Sequence, residues 1–408
     1  MSRKLLSSTA VAAVASAFLV GCGSSTSSSS TATTASASTA ASSPATKSTL
    51  GPIKIGALLP LTGASATSGQ DSLNGVNLAV SEINASGGIN GRKLTVQSED
   101  NQSSNQGTVA GITKLLTSHP AAIIGPSVSG EVEAAGPSIS QAGIPFFFGG
   151  TLPSLTHSGN PWLFRDRPTD EFFAWALADY GVKTLHITSW AVLHSADAYG
   201  TGAATYLVTD LKADGAKVVT DLGSPAGTTD FTSEVLQIKN SGAQGIASFL
   251  GSDQTNGLFA KQRQQLGLGS VPWVASGSAV TTAALKLGGS AMNGIAAVTD
   301  YVPSSNPAAT SFDAAYLKQY GTAPDVNSAY TFDAVNIIAA AIKAAGTTAP
   351  ASLRTAILGI SNLQGVDGKF SFDKYGDGAH NVNVVTVKNG VPTYTTTVAL
   401  PALPYIKA

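Results

Sequence analysis

Two serines stand where the chain can grip an anion. Ser127 and Ser129 lie in Gly125-Pro-Ser-Val-Ser-Gly130, after the apolar run Ala121–Ile124 and before Glu131–Gln141, a segment suited to a helix. The apolar run reads as a buried strand, and Gly125-Pro126 ends it. A Ser- and Gly-rich turn between strand and helix leaves backbone N–H groups beside hydroxyls, an arrangement that suits a carboxylate or another small anion. The same residues also allow a plainer role, with Ser129 as a helix N-cap. Catalytic chemistry finds no constellation. The histidines (His119, His157, His186, His194 and His380) are scattered without metal-ligand spacing, and Gly125–Gly130 misses Gly-x-Ser-x-Gly by one place. Gly87-Gly-Ile-Asn-Gly91 follows a helical segment rather than a strand, so it is a turn and not a dinucleotide fingerprint.

The elements that must hold these serines alternate along the chain. Ile53–Leu59 is a strand ended by Pro60, Asp71–Ala85 a helix stopped by Gly87-Gly88, and Leu94–Gln97 a strand. Thr108–Thr117 is a helix, and Gly143–Phe148 a strand ending in Gly149-Gly150-Thr151. Such alternation specifies an α/β fold with a doubly wound parallel sheet, in which ligands bind beyond the carboxyl ends of the strands. Three loops qualify: Leu61–Gln70, Pro126–Gly130 and Gly149–Leu155. A second alternation follows Arg165–Thr169, with strands expected at Thr184–Thr188, Lys217–Asp221, Gly245–Leu250 and Val271–Ala275. After a long helix over Thr331–Ala345 the chain finishes in β-rich segments, so two lobes of similar pattern are expected.

Composition narrows the class. At 408 residues, with 12% charged and a formal charge of −1, the chain has no basic face to offer nucleic acid. The single cysteine, Cys22, excludes an internal disulfide framework and a cysteine metal site. It follows Arg3-Lys4 and the apolar run Leu5–Val20, the basic-then-apolar-then-small anatomy of a secretory signal. Residues 23–49 are almost entirely Ser, Thr and Ala, a composition that buries no core and reads as a tether able to reach roughly 90 Å when stretched.

The motifs resemble a known family. Ile53-Lys-Ile-Gly-Ala-Leu-Leu-Pro-Leu-Thr-Gly63, Gly75-Val-Asn-Leu-Ala-Val-Ser-Glu-Ile-Asn84 and Gly87-Gly-Ile-Asn-Gly-Arg-Lys-Leu94 resemble the opening of type I solute-binding proteins. The nearest branch is the Leu/Ile/Val-binding one, which serves ABC importers. Ile123-Ile-Gly125-Pro-Ser, Gly143-Ile-Pro-Phe, Asp197-Ala-Tyr199-Gly200, Asp230-Phe231 and Tyr330-Thr-Phe-Asp333-Ala-Val335 continue the likeness in order, over roughly 52–390. Leu19-Val-Gly-Cys22 likewise resembles a bacterial lipobox, in which the thiol is lipidated and cleavage leaves Cys22 first.

The resemblance implies two lobes joined by three crossovers and closing on a ligand. The implied layout is a signal peptide over 1–21, a lipidated tether over 22–50, a first lobe of 51–169 with 300–360, and a second of 170–299 with 361–408. It places the ligand carboxylate at Ser129 and Thr151, with Ser127 and Gly150 in the same loops, and an aromatic lid at Tyr199. Three positions depart from the family pattern: Ser68 stands where an aromatic is usual, Ser252 where a tyrosine is, and Gly277 where the acid that pairs with an ammonium is. A buried ammonium without a partner is costly, so either Asp253 or Asp300 takes that role or the ligand is not an α-amino acid. Trp190, expected in a loop over Ser189–Ala198, is a further ligand candidate, whereas Trp273 reads equally well as core.

The expected protein is therefore an exported, membrane-anchored substrate-binding lipoprotein of an ABC importer, taking an amino acid or a related acid or amide. Its partners would be permease subunits, and it would be monomeric, without cofactor or enzymatic activity. A receptor that signals to a membrane partner is the alternative.

Overall fold

Residues 50–378 and 382–400 are described by the computed structural model. The expected signal peptide, Cys22 and the tether up to residue 49 lie outside them, as does His380. In the first lobe β1 (Ile53–Leu59), β2 (Leu94–Asp100), β3 (Ile123–Ile124), β4 (Phe146–Phe148) and β5 (Leu163–Arg165) form a parallel sheet ordered β2-β1-β3-β4-β5. Helices α1 (Ala66–Ala85), α2 (Asn105–Leu116) and α3 (Ser129–Ala142) connect its strands. Both faces of the inner strands are covered, which is why β1, β3 and β4 read as largely apolar runs. Period-two alternation divides them: Ile53, Ile55, Ile124 and Phe147 enter one core, and Leu58, Ile123, Phe146 and Phe148 the other.

The second lobe begins with α4 (Asp170–Asp179) and continues as β6 (Ser189–Ser195), α5 (Ala198–Ala213), β7 (Lys217–Ser224), α6 (Thr232–Ser241), β8 (Gly245–Phe249), α7 (Asp253–Gln265), β9 (Trp273–Ser276), α8 (Thr282–Gly288) and β10 (Ala296–Thr299). The chain then returns to the first lobe for α9 (Pro307–Tyr320), α10 (Val326–Ala345), α11 (Pro350–Leu358) and a short hairpin, β11 (Leu363–Gln364) with β12 (Lys369–Phe370). It ends in the antiparallel pair β13 (Val382–Lys388) and β14 (Val391–Val398), which completes the second sheet as β14-β13-β10-β9-β8-β6-β7. The α/β class and the doubly wound pattern hold. No helix among the described residues is long and apolar enough to cross a membrane.

Two expected boundaries move. No strand forms at Thr184–Thr188; Tyr180–Thr184 makes a wide helical turn, His186 takes a left-handed φ of 57°, and the strand starts at Ser189. Trp190 is therefore not in a loop. It is fully buried in the second core, and its ring N–H donates to the Ile187 carbonyl at 3.2 Å. The third crossover also falls later than residue 361, because Val366, Phe370 and Phe372 pack into the first lobe's core, while Val382 and Val384 pack into the second.

Candidate ligand-binding cleft

The carboxyl ends of β1, β3 and β4 face those of β6, β8 and β9 across a cavity of ≈ 100 Å³. The first lobe supplies Ser65 and Ser68 at the start of α1, Ser127 to Ser129 at the start of α3, Thr151, and Val326 and Asn327 of α10. The second supplies Phe173, Asp197, Tyr199, Gly251 to Asp253, Ser276 to Ser278 and Thr281. A larger cavity of ≈ 990 Å³ lies among strand starts such as Ile53, Lys54 and Ala121. That is the end of a parallel sheet opposite to where ligands collect.

Ser129 is not the cap of α3. It is the first helical residue, Val128 holds the capping position, and no side chain caps that end. The Glu131 and Val132 N–H groups donate to the Val128 carbonyl, whereas those of Ser129 and Gly130 have no acceptor among the described residues. The Ser129 hydroxyl accepts from the Leu152 N–H at 3.3 Å and keeps its own proton to donate. Free N–H groups at a helix start beside a hydroxyl favour an anion. Glu131, two residues on, is buried and accepts from Asn101 at 2.8 Å; burial pushes its carboxyl up to about 7. Thr151 sits over the start of α4, its carbonyl accepting the Asp170 N–H at 2.9 Å.

The opposite wall is a chain of hydroxyls. Tyr199 donates to Ser276 at 3.2 Å, Ser276 and Ser278 are 2.9 Å apart, and Ser278 donates to the Leu250 carbonyl at 2.7 Å. Ser252 caps α7 in a reciprocal box with Thr255. Asp197 caps α5 through Oδ1, which accepts from the Gly200 N–H at 2.8 Å and the Ser195 hydroxyl at 2.9 Å. Asp253 crosses the cleft: Ser68 donates to its Oδ2, and Thr281 donates to Oδ1 at 2.7 Å. Burial pushes this carboxyl up to about 6 against those two hydrogen bonds. A second link between the lobes runs from the Thr282 N–H to Asp325 at 3.1 Å.

Of the expected site residues, Ser68, Ser127, Ser129, Thr151, Tyr199, Ser252 and Gly277 come together around this cavity. Trp190, Gly150 and Asp300 do not. Trp190 is sealed in the second core. Gly150 lies behind the wall, where a Cβ would meet Leu155, Ser129 and Val132 at 3.1–3.2 Å. Asp300 is 1% exposed and is taken by Arg167, whose Nε and Nη2 reach its two oxygens at 2.6 and 2.9 Å. Trp273 is core, its ring N–H donating to Ser248 at 2.8 Å. Sequence reading missed Arg167, Phe173, Val326 and Asn327 as wall residues, and it passed over Asp197 as part of the Asp-x-Tyr-Gly motif. No metal-binding group of three His, Cys, Asp or Glu forms among the described residues.

Comparison with known proteins gives a consistent picture. The periplasmic binding protein family model matches residues 52–392. Leu/Ile/Val-binding protein homolog 8 of Brucella suis is 30% identical over 295 residues, 69% of this chain and 73% of its own length. An amino acid binding protein of Pseudomonas aeruginosa is 30% identical over 335 residues, 80% and 88% of the two chains. The crystal structure of LivJ, a branched-chain amino acid transporter substrate-binding protein from Streptococcus pneumoniae in complex with isoleucine, superposes with a TM-score of 0.79. It is 25% identical, and the match covers 85% of this chain and 99% of that one.

Proposed function

The chain belongs to the periplasmic binding protein family, in its type I Leu/Ile/Val-binding branch, and from that premise we propose that it is the extracytoplasmic substrate-binding lipoprotein of an ABC importer. It captures a small carboxylate-bearing solute between its lobes. The family consists of solute-binding proteins and not enzymes, so the task of this cleft is recognition followed by release. The observation that carries the reading is the start of α3, where no side chain caps the helix, Ser129 lines the cavity with its N–H and hydroxyl, and the unpaired Gly130 N–H follows it. A carboxylate placed there gains charge-assisted hydrogen bonds that water otherwise supplies. The relatives support the class of solute: one is an amino acid binding protein, and LivJ holds isoleucine.

Anchoring rests on the sequence around Cys22. Lipidation there and the tether that follows would hold the folded part near the outer face of the membrane and within reach of permease subunits. Replacement Cys22→Ala should move the protein from the membrane fraction to the soluble fraction, and continued sedimentation with membranes would refute the anchor. For the cleft, calorimetric titration of Ser129→Ala and Thr151→Ala with carboxylate ligands is the test. Each variant should lose about 1–3 kcal/mol of binding free energy. Unchanged affinity in both would remove the anion site.

A further inference from the structure

The two walls of the cleft carry opposite polarity. Helices α1 and α3 of the first lobe enter it without side-chain caps. Helices α5 and α7 of the second lobe enter it with acids, Asp197 as the cap of α5 and Asp253 as the first residue of α7. One wall therefore presents the positive ends of helices, and the other presents carboxylates. Arg167 also reaches the cavity, but its charge is matched by Asp300, which takes two of its five N–H groups, and a third goes to the Gly149 carbonyl at 3.1 Å. The charge left over is negative and belongs to the second lobe.

The two acids differ in what they have to spare. Asp253 is engaged on both oxygens by Ser68 and Thr281. Asp197 uses Oδ1 for its cap and for Ser195, while Oδ2 accepts no hydrogen bond from the described residues. That oxygen stands beside Gly251, 3.6 Å from where a Cβ of that residue would lie, and both residues line the cavity. An ammonium in the cleft thus finds a free carboxylate oxygen at Asp197, although Gly277 offers it none. The remaining surface is hydroxylic, and the wholly apolar side chains on it are Val128, Phe173 and Val326. Phe173 has its ring over the Arg167 guanidinium at 6.0 Å. A branched aliphatic side chain would strip water from these hydroxyls without replacing their hydrogen bonds, which costs affinity.

Resting on the reading of this cleft as a carboxylate site, we propose that the ligand is a small zwitterion with a short polar side chain, that its ammonium is held by Asp197 Oδ2, and that Asp197 sets the preference for amines. The variant Asp197→Asn isolates this role, because asparagine caps a helix as well as aspartate does and only the charge is lost. The full chain and this variant are titrated calorimetrically with L-serine, L-leucine and 3-hydroxypropionate, which keeps serine's carboxylate and side-chain hydroxyl but has no ammonium; thermal melts check folding. The wild type should bind L-serine more tightly than L-leucine. Asp197→Asn should weaken L-serine by about 10- to 100-fold and change 3-hydroxypropionate by less than about twofold. Tighter binding of L-leucine than of L-serine, or an unchanged L-serine affinity in Asp197→Asn, would overturn the proposal while leaving the carboxylate site standing. Absence of binding by all three acids would overturn the carboxylate site and this proposal with it.

Discussion

Arg167 and Asp300 meet as a two-pronged ion pair, Nε to Oδ2 at 2.6 Å and Nη2 to Oδ1 at 2.9 Å, and so tie the first crossover between the lobes to the second. Three more carboxyls stand near this pair: Asp166 beside Arg167 in sequence, Asp333 on α10, and Asp367 in the turn between β11 and β12. Two crossovers and two elements of the first lobe thus bring acids to one buried point. Asp333 accepts the Val366 and Asp367 N–H groups at 3.0 Å each, whereas both oxygens of Asp166 lack a hydrogen-bond donor. Replacing Arg167 by Met removes the only cation among these acids. Unfolding in urea at pH 7.5 should show a loss of about 3–5 kcal/mol, the usual cost of stranding a buried charge. A loss below about 1 kcal/mol would mean that the pair does not hold the hinge.

These carboxyls also reverse the usual pH dependence of stability. Burial pushes Asp170, Asp333 and Glu131 up to about 7, and Asp71 likewise to about 7. Asp166 and Asp367 are pushed well above the ordinary carboxylate range, burial again being the largest cause. Unfolded, such groups titrate near 4. Between about pH 4 and 7 the folded chain therefore binds more protons than the unfolded one, and stability falls as pH rises, by about 1.4 kcal/mol per pH unit for each proton retained. Denaturant midpoints should be higher at pH 5 than at pH 7.5. A midpoint that rises over that interval contradicts the buried, protonated acids.

Most of the fold was legible because its signals are local. The apolar runs at Ile53, Ile123 and Phe146, each ended by Gly or Pro, announced buried strands, and the loops after them announced where a cleft must lie. Residues far apart in sequence were not legible. Asp300 looked like a free acid at a crossover, because nothing in the chain near 300 shows that Arg167 will occupy both of its oxygens. Trp190 looked like a loop residue because the apolar run around it is short, and only the core beneath α4 and α5 shows that it is inside. Asp197 was visible in Asp-x-Tyr-Gly, but which of its oxygens remains free depends on Ser195 and the turn into α5.

Helices α1 and α10 pack backbone to backbone at Gly75. A Cβ on Gly75 would stand 2.1 Å from the Ser328 carbonyl oxygen and 2.5 Å from the Thr331 hydroxyl. Thr331 donates that hydroxyl to the Ser72 carbonyl at 2.8 Å, so it cannot turn aside without losing the bond. Gly75→Ala should cost about 1–3 kcal/mol by overpacking, despite alanine's better helix propensity. An unchanged or raised melting temperature would show that the helices separate freely.

Ser68 and Asp253 supply the last test, since their contact spans the cleft itself. Burial drives the Asp253 carboxyl up to about 6, and the hydrogen bonds from Ser68 and Thr281 hold it down. Ser68→Ala removes one of the two donors that favour the charged form. With the lobes still linked through Thr282 and Asp325, Asp253 stays buried and its pKa should rise above 6. Carbon-13 NMR titration of the aspartate carboxyls in the variant reads this directly. A fall toward the ordinary value near 4 would mean instead that water has entered, and that the Ser68 contact is what keeps the two walls together.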